Sequence, residues 1–283
     1  FDFEWSNKNL FYGQYTRNDC YFDNNPELKS QGIPTGEVKT LLESLRKKYK
    51  KHVPKTTLTK PVGAPGQGLP IERNLKVANS LLDSAGWKIG SDGIRSKGNH
   101  RMEFELLLAG PGFQRIAEPY KNNLKKIGVK MTIKVIQVAE YEERLRNFKF
   151  GMIVAGFAQS RSPGNEQRYM WGSESADTPG TRNYMGIKNP ALDELVDKIV
   201  SAKNRKDLVT NVQAQDRILT HQYYVVPHWY IAYDRAVYWN KFGKSKINAS
   251  QAAISNNILE WWWWDKEKAE KLKKARAAGT SVK

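Results

Sequence analysis

Residues 101–108 read RMEFELLL and residues 129–135 read VKMTIKV, and these two stretches decide the fold. The first becomes apolar on both faces toward its end, and the second alternates apolar with polar residues as a half-buried strand does. Between them, residues 113–127 repeat apolar side chains at helical spacing. A third apolar strand is predicted over residues 152–155. This alternation predicts parallel pairing of strands at residues 101–108 and 129–138 with right-handed crossovers, and therefore an α/β lobe with a mainly parallel sheet.

Helices are predicted on either side of these strands. Apolar residues at helical spacing predict helices over residues 36–50, 71–85, 190–199 and 207–219. Thr35 is placed to cap the first of these helices, and Gly86 to end the second. Pro119 is predicted to kink the helix at 113–127 or to delay its start, because proline cannot donate a helical hydrogen bond.

The charge balance leaves a second function class open. The chain carries 46 Lys and Arg against 29 Asp and Glu, which gives a formal net charge of +17. A basic nucleic-acid or anionic-polymer binder is therefore an alternative hypothesis, although no zinc-finger spacing or RNA-recognition motif accompanies the charge. Much of the excess lies in solvated runs such as residues 46–51 and 266–276. A salt titration separates this alternative from other functions, because phosphate neutralisation gives a steep salt slope.

The sequence gives little support for covalent chemistry. It contains no H-E-x-x-H, G-x-S-x-G or complete phosphate-loop motif, so no enzymatic activity is predicted. Cys20 is the only cysteine, which excludes an internal disulfide and a cysteine-based metal cluster. His228 lies between Pro227 and Trp229 and is interpreted as a packed histidine. No cofactor and no metal site are predicted.

The loop after the third strand is the first place to look for a ligand. Open α/β sheets bind ligands beyond the carboxyl ends of their strands, and residues 157–168 are polar without a hydrophobic purpose. An ordinary polar loop is the alternative interpretation. Glu166 is a candidate partner for a cation, and Arg161, Arg168 or Arg182 for a carboxylate or phosphate. The candidate substrate-binding residues are Phe157, Gln159, Ser160, Arg161, Asn165, Glu166, Arg182 and Tyr184.

Several passages resemble the family 5 extracellular solute-binding proteins, the oligopeptide and dipeptide binders of ABC importers. These passages are residues 78–87 (ANSLLDSAGW), 104–108 (FELLL), 123–131 (NLKKIGVKM) and 183–195 (NYMGIKNPALDEL). The Yej-type subgroup, which is associated with oligopeptides and microcin C, is similar at residues 3–12 (FEWSNKNLFY), 162–167 (SPGNEQ) and 226–230 (VPHWY). The passages occur in the family's order and extend over essentially the whole chain.

The resemblance implies a function and an architecture. It implies a type II periplasmic-binding-protein lobe that binds oligopeptides or peptide-like compounds and delivers them from the periplasm to an inner-membrane ABC permease. Family members enclose the ligand between two lobes. Residues 1–225 resemble the second lobe, residues 226–283 the hinge crossing and the return segment of the first, and the missing N-terminal lobe is an expected partner. Phe1 lies inside a family-like motif, so the chain alone is expected to be an incomplete receptor.

Two details of the resemblance concern particular residues. Family members carry an aspartate in the loop after the third strand, which pairs with the ligand's amino terminus. This sequence has Gln159 or Ser160 at that place and no aspartate in the loop, so it departs from the family's pattern. The run Trp261–Trp264 is expected to pack against the first lobe rather than to bind sugars or membranes.

Overall fold

The computed structural model describes residues 1–233, 235, 237–245 and 262–281. The chain divides into two units, and the larger one, residues 1–230, contains a parallel sheet and a group of helices. The helices of this unit are α1 (Phe3–Leu10), α2 (Gly36–Lys48), α3 (Thr56–Thr59), α4 (Ile71–Ser84), α5 (Gln114–Lys126), α6 (Val138–Arg146), α7 (Glu166–Trp171), α8 (Pro190–Val200) and α9 (Arg205–His221). Its strands are β1 (Thr16–Arg17), β2 (Lys88–Ile89), β3 (Arg95–Lys97), β4 (His100–Arg101), β5 (Glu103–Leu108), β6 (Lys130–Val135), β7 (Met152–Ile153) and β8 (Trp229–Tyr230).

The predicted parallel sheet is confirmed, with the strand order β6-β5-β7. Strand β6 ends at Val135, however, and helix α6 begins at Val138, where the strand was predicted to end. Leu106 in the central strand faces Ile133 of β6 and Met152 of β7 in register. Leu106, Leu107 and Leu108 are buried, which explains why β5 is apolar on both faces at its end. Strand β7 has two paired residues and lies at the edge of the sheet, and no strand within the described residues pairs with its outer side.

Helix α5 departs from the prediction for Pro119. The helix begins at Gln114, directly after a 3-10 turn, and runs through Pro119 instead of starting there. Proline removes the hydrogen bond to the carbonyl four residues earlier, which belongs to Arg115. Arg115 is exposed, so water can satisfy that carbonyl, while Ile116 and Ala117 on the opposite side are buried. Burial of the apolar side therefore outweighs the local cost of the proline.

The predicted end of α4 at Gly86 is confirmed. Thr35 lies at the predicted N-cap position of α2 but does not cap the helix with its side chain. Gly86 has a φ of +85°, and the amides of Gly86 and Trp87 close the end of α4 by bonding to carbonyls of the last turn. Thr35 occupies the N-cap position of α2, but its side chain makes no capping hydrogen bond. The main chain alone fixes that end of α2.

The helical core forms around α8 and α9, as the apolar spacing predicted. Asn189 caps α8 by accepting a hydrogen bond from the Ala191 amide at 2.9 Å, and Pro190 occupies the first helical position. Leu195 of α8 and Ile218 of α9 are fully buried in one cluster that also contains helix α2. This cluster supplies most of the apolar burial on the helical side of the unit.

Two neighbouring charged residues of α9 hold irregular chain segments against the core. Asp216 is completely buried and accepts hydrogen bonds from the Tyr21 amide at 2.8 Å and the Ser30 amide at 2.9 Å. Arg217 is also buried and donates to the main-chain carbonyls of Gly32, Thr57 and Lys60. Segments 18–34 and 54–62 are therefore positioned by side chains about 160 to 195 residues away in sequence.

The predicted strand over residues 223–231 is shorter than expected. Only Trp229 and Tyr230 form a strand, β8, which pairs antiparallel with β1. The smaller unit, Ile231–Lys283, contains β9 (Phe242–Lys244), β10 (Trp262–Trp264) and the predicted lysine-rich helix, α10 (Lys266–Ala277). The predicted division of the chain between two lobes at residues 225 and 226 stays a prediction.

The tryptophan run contributes to a hairpin-like pairing within the smaller unit. Strand β10 pairs antiparallel with β9, and Trp262 lies opposite Lys244. The ammonium groups of Lys244 and Lys241 lie 4.7 and 4.8 Å from the ring centres of Trp262 and Trp264, within cation–π range. Trp261 lies outside the described residues, and packing of the run against another lobe stays a prediction. None of the helices in the described part of the chain has the length and hydropathy that a bilayer span requires.

Replacing Asp216 by alanine is expected to lower the free energy of unfolding by about 2–5 kcal/mol, because two buried amides lose their acceptor at about 1–3 kcal/mol each. Urea denaturation of the chain and its variant measures this loss. Asp177→Ala is the matched control, because the Asp177 carboxylate is exposed and its pair with Lys188 is a surface salt bridge worth about 0–1 kcal/mol. Equal losses in the two variants would contradict the assigned role of Asp216.

His221 is expected to make the fold sensitive to acid. Burial lowers the pKa of His221 to about 4, and the charges of Arg217 and Lys60 act in the same direction. The unfolded imidazole titrates near 6.5, so the unfolded chain binds more protons between these values and stability falls as pH decreases. His221→Gln should flatten the slope of stability between pH 6.5 and 4, whereas a variant at the exposed His100 should leave it unchanged.

Candidate ligand-binding groove

An open groove of about 1130 Å³ lies beside the free edge of β7. Its lining is drawn from segments 18–24, 63–65, 113–120, 148–158, 183–186 and 219–230. One wall is therefore the end of the parallel sheet with helix α5, and the other is the irregular segment that Asp216 holds in place. The volume is in the range of clefts that bind small ligands in proteins.

The chain after β7 exposes main-chain hydrogen-bond donors along this groove. Residues 156–158 donate no hydrogen bond in the described part of the chain, and Gly156 and Ala158 are exposed. Gly151 lets the strand approach β5 closely, because a Cβ atom there would lie only 3.0 Å from the Glu105 carbonyl oxygen. The groove therefore has along one side a stretch of chain beyond β7 with unused amides, which an added strand could use as donors.

Aromatic rings form two groups in the groove wall. Phe157 lies with its ring centre 5.0 Å from that of Trp171 and 6.3 Å from that of Tyr184. In the second group, Trp229 stacks with His228 at 4.8 Å and 8° and with Phe113 at 5.9 Å and 7°. Burial lowers the pKa of His228 to about 4, so this ring is neutral at pH 7. His228 is a stacked ring, as its sequence context indicated.

Two of the eight predicted binding residues, Phe157 and Tyr184, line the groove. Arg182 lies directly behind them: its guanidinium donates to the Gly156 carbonyl and is 5.8 Å from the ring centre of Phe157. The structure therefore brings these three residues together around the beginning of the loop. Arg182 satisfies a main-chain acceptor rather than pointing freely into the groove.

The other predicted residues lie outside the groove lining. The Ser160 hydroxyl accepts from the Ser162 amide at 3.2 Å, and the Glu166 carboxylate accepts from the Gly164 amide at 2.9 Å. The main-chain carbonyl of Arg161 accepts from Arg205, while Asn165 occupies the first position before α7. These contacts shape the loop, and direct ligand binding by Gln159, Ser160, Arg161, Asn165 and Glu166 stays a prediction.

A buried glutamine ties the loop to the helical core. Gln167 donates to the Gln159 side-chain oxygen at 2.8 Å and accepts from the Trp171 indole at 2.9 Å and the Gln215 amide at 3.1 Å. Gln167 and Trp171 are completely buried. Because Trp171 also contacts Phe157, the network connects the groove wall with helix α9.

Sequence reasoning missed the groove wall formed by residues 18–24. Asp19, Tyr21 and Asp23 of this segment line the groove, although no regular element contains them. A search confined to the ends of strands passes over such a segment. The available signal was local: two aspartates, Asp19 and Asp23, flank the only cysteine and two adjacent aromatic residues.

Residues 1–179 match the family model of bacterial extracellular solute-binding proteins, family 5 Middle. The chain belongs to this family. The resemblance found in the sequence is therefore confirmed. A probable peptide-binding protein, YejA of Agrobacterium fabrum, is 38% identical over 243 residues, which are 85% of this chain and 39% of that protein.

Solved structures of family members share the fold. NikZ from Campylobacter jejuni, in complex with Ni(L-His), aligns with a TM-score of 0.60 at 15% identity over 82% of this chain and 40% of its own. The oligopeptide-binding protein AppA from Bacillus subtilis, in complex with a nonapeptide, aligns with a TM-score of 0.55 at 20% identity over 81% of this chain and 47% of its own. The predicted fold class is confirmed. The chain spans less than half the length of these proteins.

Gln167→Leu is expected to loosen the loop as well as the core. The variant leaves the Trp171 indole and the Gln215 amide without their shared acceptor, which costs about 2–5 kcal/mol. Hydrogen exchange of amides 157–165 should accelerate, because Gln159 loses its anchor. Gln213→Leu is the control: it removes a similar hydrogen bond, to the Glu27 carbonyl, on the outer side of α9. Unchanged exchange in the loop would show that Gln167 serves the core alone.

Proposed function

We propose that the chain is part of the substrate-binding component of an ABC importer and binds peptides or peptide-like compounds in the groove beside β7. The observation that carries this proposal is the free main-chain edge at residues 156–158, which lies along a largely apolar groove. A peptide that lies there extended adds a strand to the sheet. The importer's permease in the inner membrane, and a periplasmic location, belong to the same proposal.

Main-chain pairing suits a receptor that must accept many sequences. Every peptide carries the same main-chain donors and acceptors, so hydrogen bonds to the edge at residues 156–158 contribute affinity whatever the side chains of the peptide are. The aromatic groups around Phe157 and Trp229 provide apolar surfaces for alternate side chains of the ligand. We assign no covalent chemistry to the site, and the ligand is released unchanged.

The ligands of similar proteins favour a peptide ligand for this chain only when they are considered together with the unused amides beside the groove. The Agrobacterium relative is described as a probable peptide-binding protein, and the AppA structure contains a nonapeptide. NikZ, with a similar fold, holds a nickel–histidine complex, so the fold alone does not select the ligand. A strand edge with unused amides favours an extended peptide over a compact metal complex.

The alternative of a polyanion ligand has no support from the groove. No lysine or arginine is among the described residues that line it, whereas phosphate binding requires such side chains. The excess positive charge of the chain therefore lies elsewhere on the surface.

The proposed division into lobes completes the mechanism. Residues 1–225 form the second lobe, and residues 226–283 the crossing and return segment of the first. Closure of the two lobes would surround the ligand and remove it from water. Affinity of one lobe alone is reduced, because only part of the contact surface is present. Residues 159–161, 165 and 166 would contact the ligand or the other lobe at the rim.

Hydrogen exchange tests the proposed edge directly in the 283-residue chain. Saturating oligoalanine peptide should slow exchange of the Gly156 and Ala158 amides by roughly tenfold, because an added strand supplies acceptors to alternate amides of the chain beside it. Amides of the exposed turn at Gly98 and Asn99 are the internal control and should not change. Peptide binding without protection at 156–158 would contradict the edge, and no binding of any peptide would contradict the proposed function.

A pair of variants at Ala158 sharpens the same test. Ala158→Pro removes the main-chain amide donor at this position. Ala158→Ser retains that amide and, like the proline variant, makes only a small change to an exposed side chain. Proline is expected to weaken peptide binding about tenfold more than serine does, at equal melting temperatures. Saturation-transfer NMR with the same peptide measures these weak affinities. Equal binding by the two variants would exclude this amide from the ligand contact.

A further inference from the structure

The groove carries a charge opposite to that of the chain as a whole. The formal net charge of the protein is +17, yet the described residues that line the groove include no lysine or arginine. The acidic side chains among them are Asp19 and Asp23, both from the wall at residues 18–24. The chain has 46 lysines and arginines, yet the charged side chains among the described lining residues are acidic, which favours a ligand with positive charge.

The two aspartates differ in how far their hydrogen-bonding capacity is used. Asp23 is buried, pairs with the Lys29 ammonium at 3.1 Å and accepts from the Asp19 amide at 3.0 Å. Asp19 is half-buried, and its carboxylate accepts only a long bond, 3.3 Å, from the Ala64 amide. Arg17 is near enough to interact with Asp19 electrostatically, but the two form no ion pair within the described residues. Asp19 therefore retains an oxygen for a further partner.

The position of Asp19 is fixed before any ligand arrives. Its own amide is bonded to Asp23, and its neighbour Tyr21 is bonded through the main chain to buried Asp216. Tyr21 also lines the groove, but its hydroxyl is buried away from solvent and has no hydrogen-bond partner within the described residues. The carboxylate of half-buried Asp19 therefore retains hydrogen-bonding capacity that a ligand can reach. A fixed acceptor loses little freedom on binding, which favours affinity.

We infer that Asp19 binds a cationic nitrogen of the ligand, an alkylammonium or a guanidinium. The inference rests on the proposed peptide-binding function and names the chemistry that the site selects. A peptide offers this group at its amino terminus or on a lysine or arginine side chain. The contact is a charge-assisted hydrogen bond in a largely apolar groove, where such bonds are stronger than in water.

Three alanine-based peptides distinguish the two sources of positive charge. One has a free amino terminus and an amidated carboxyl end, one is acetylated and amidated but contains a lysine, and one is acetylated and amidated without lysine. Chemical-shift titration of the 283-residue chain gives the affinity for each. At least one of the two cationic peptides should bind about tenfold more tightly than the neutral one. Whichever cationic peptide gains affinity identifies the source.

The variant Asp19→Asn should bring the cationic and neutral peptides to within about twofold of each other, while the affinity for the neutral peptide is retained. Asp19→Glu keeps the charge and should keep the preference, which separates the charge effect from damage to the wall. Glu43→Gln removes one exposed negative charge from α2, outside the groove lining, and should leave all affinities unchanged.

The outcomes separate this inference from the proposed function. Equal binding of cationic and neutral peptides by the unmodified chain, or an unchanged preference in Asp19→Asn, would overturn the role of Asp19 while peptide binding stands. Absence of binding for all three peptides would overturn the proposed function, and the inference with it. A preference lost in Glu43→Gln as well would assign the effect to overall charge and also overturn the inference.

Discussion

The buried pair Asp216 and Arg217 on helix α9 is the constraint on which the groove depends. Segment 18–34 has no helix or strand and segment 54–62 has only the single-turn helix α3, so many of their main-chain groups need partners from elsewhere. Asp216 accepts from two of their amides, and Arg217 donates to three of their carbonyls. Two adjacent side chains of one helix thus provide acceptors for main-chain amides and donors for main-chain carbonyls. Without it, the wall that contains Asp19 and Tyr21 would have no fixed position.

The opposite wall has a simpler origin. The central strand of the parallel sheet is buried at Leu106–Leu108, and on one side the sheet ends at β7, a strand of two paired residues. The chain leaves β7 extended but unpaired, while Gln167 and Trp171 hold the next loop in place. The two walls are therefore built by different means: one by the edge of a sheet, the other by side chains that hold irregular chain. The ligand-binding proposal uses the first for affinity and the second for charge selection.

The sheet and the helices were predictable from sequence because they rest on local periodicity. Strands β5 and β6 and helices α8 and α9 follow directly from apolar spacing. The continuous helix across Pro119 was not predictable, because burial of Ile116 and Ala117 decides it. The wall at 18–24 was missed since bonds between Asp216 and Tyr21 span 195 residues and leave no periodic trace. Of the eight predicted site residues, Phe157 and Tyr184 line the groove, and a binding role for the other six stays a prediction.

The contact between Arg182 and the Gly156 carbonyl has a consequence for solubility. An unpaired sheet edge is a template on which another copy of the same chain can stack, and stacking continues when donors and acceptors alternate without interruption. Arg182 occupies one acceptor of that row with a bulky charged group. A short peptide can still accept hydrogen bonds from the neighbouring amides. In a fibril, by contrast, every stacked copy would add an Arg182 side chain, and these positive charges would repel one another. Arg182 is therefore expected to leave the edge accessible to a short peptide while disfavouring the stacking of further copies of the chain.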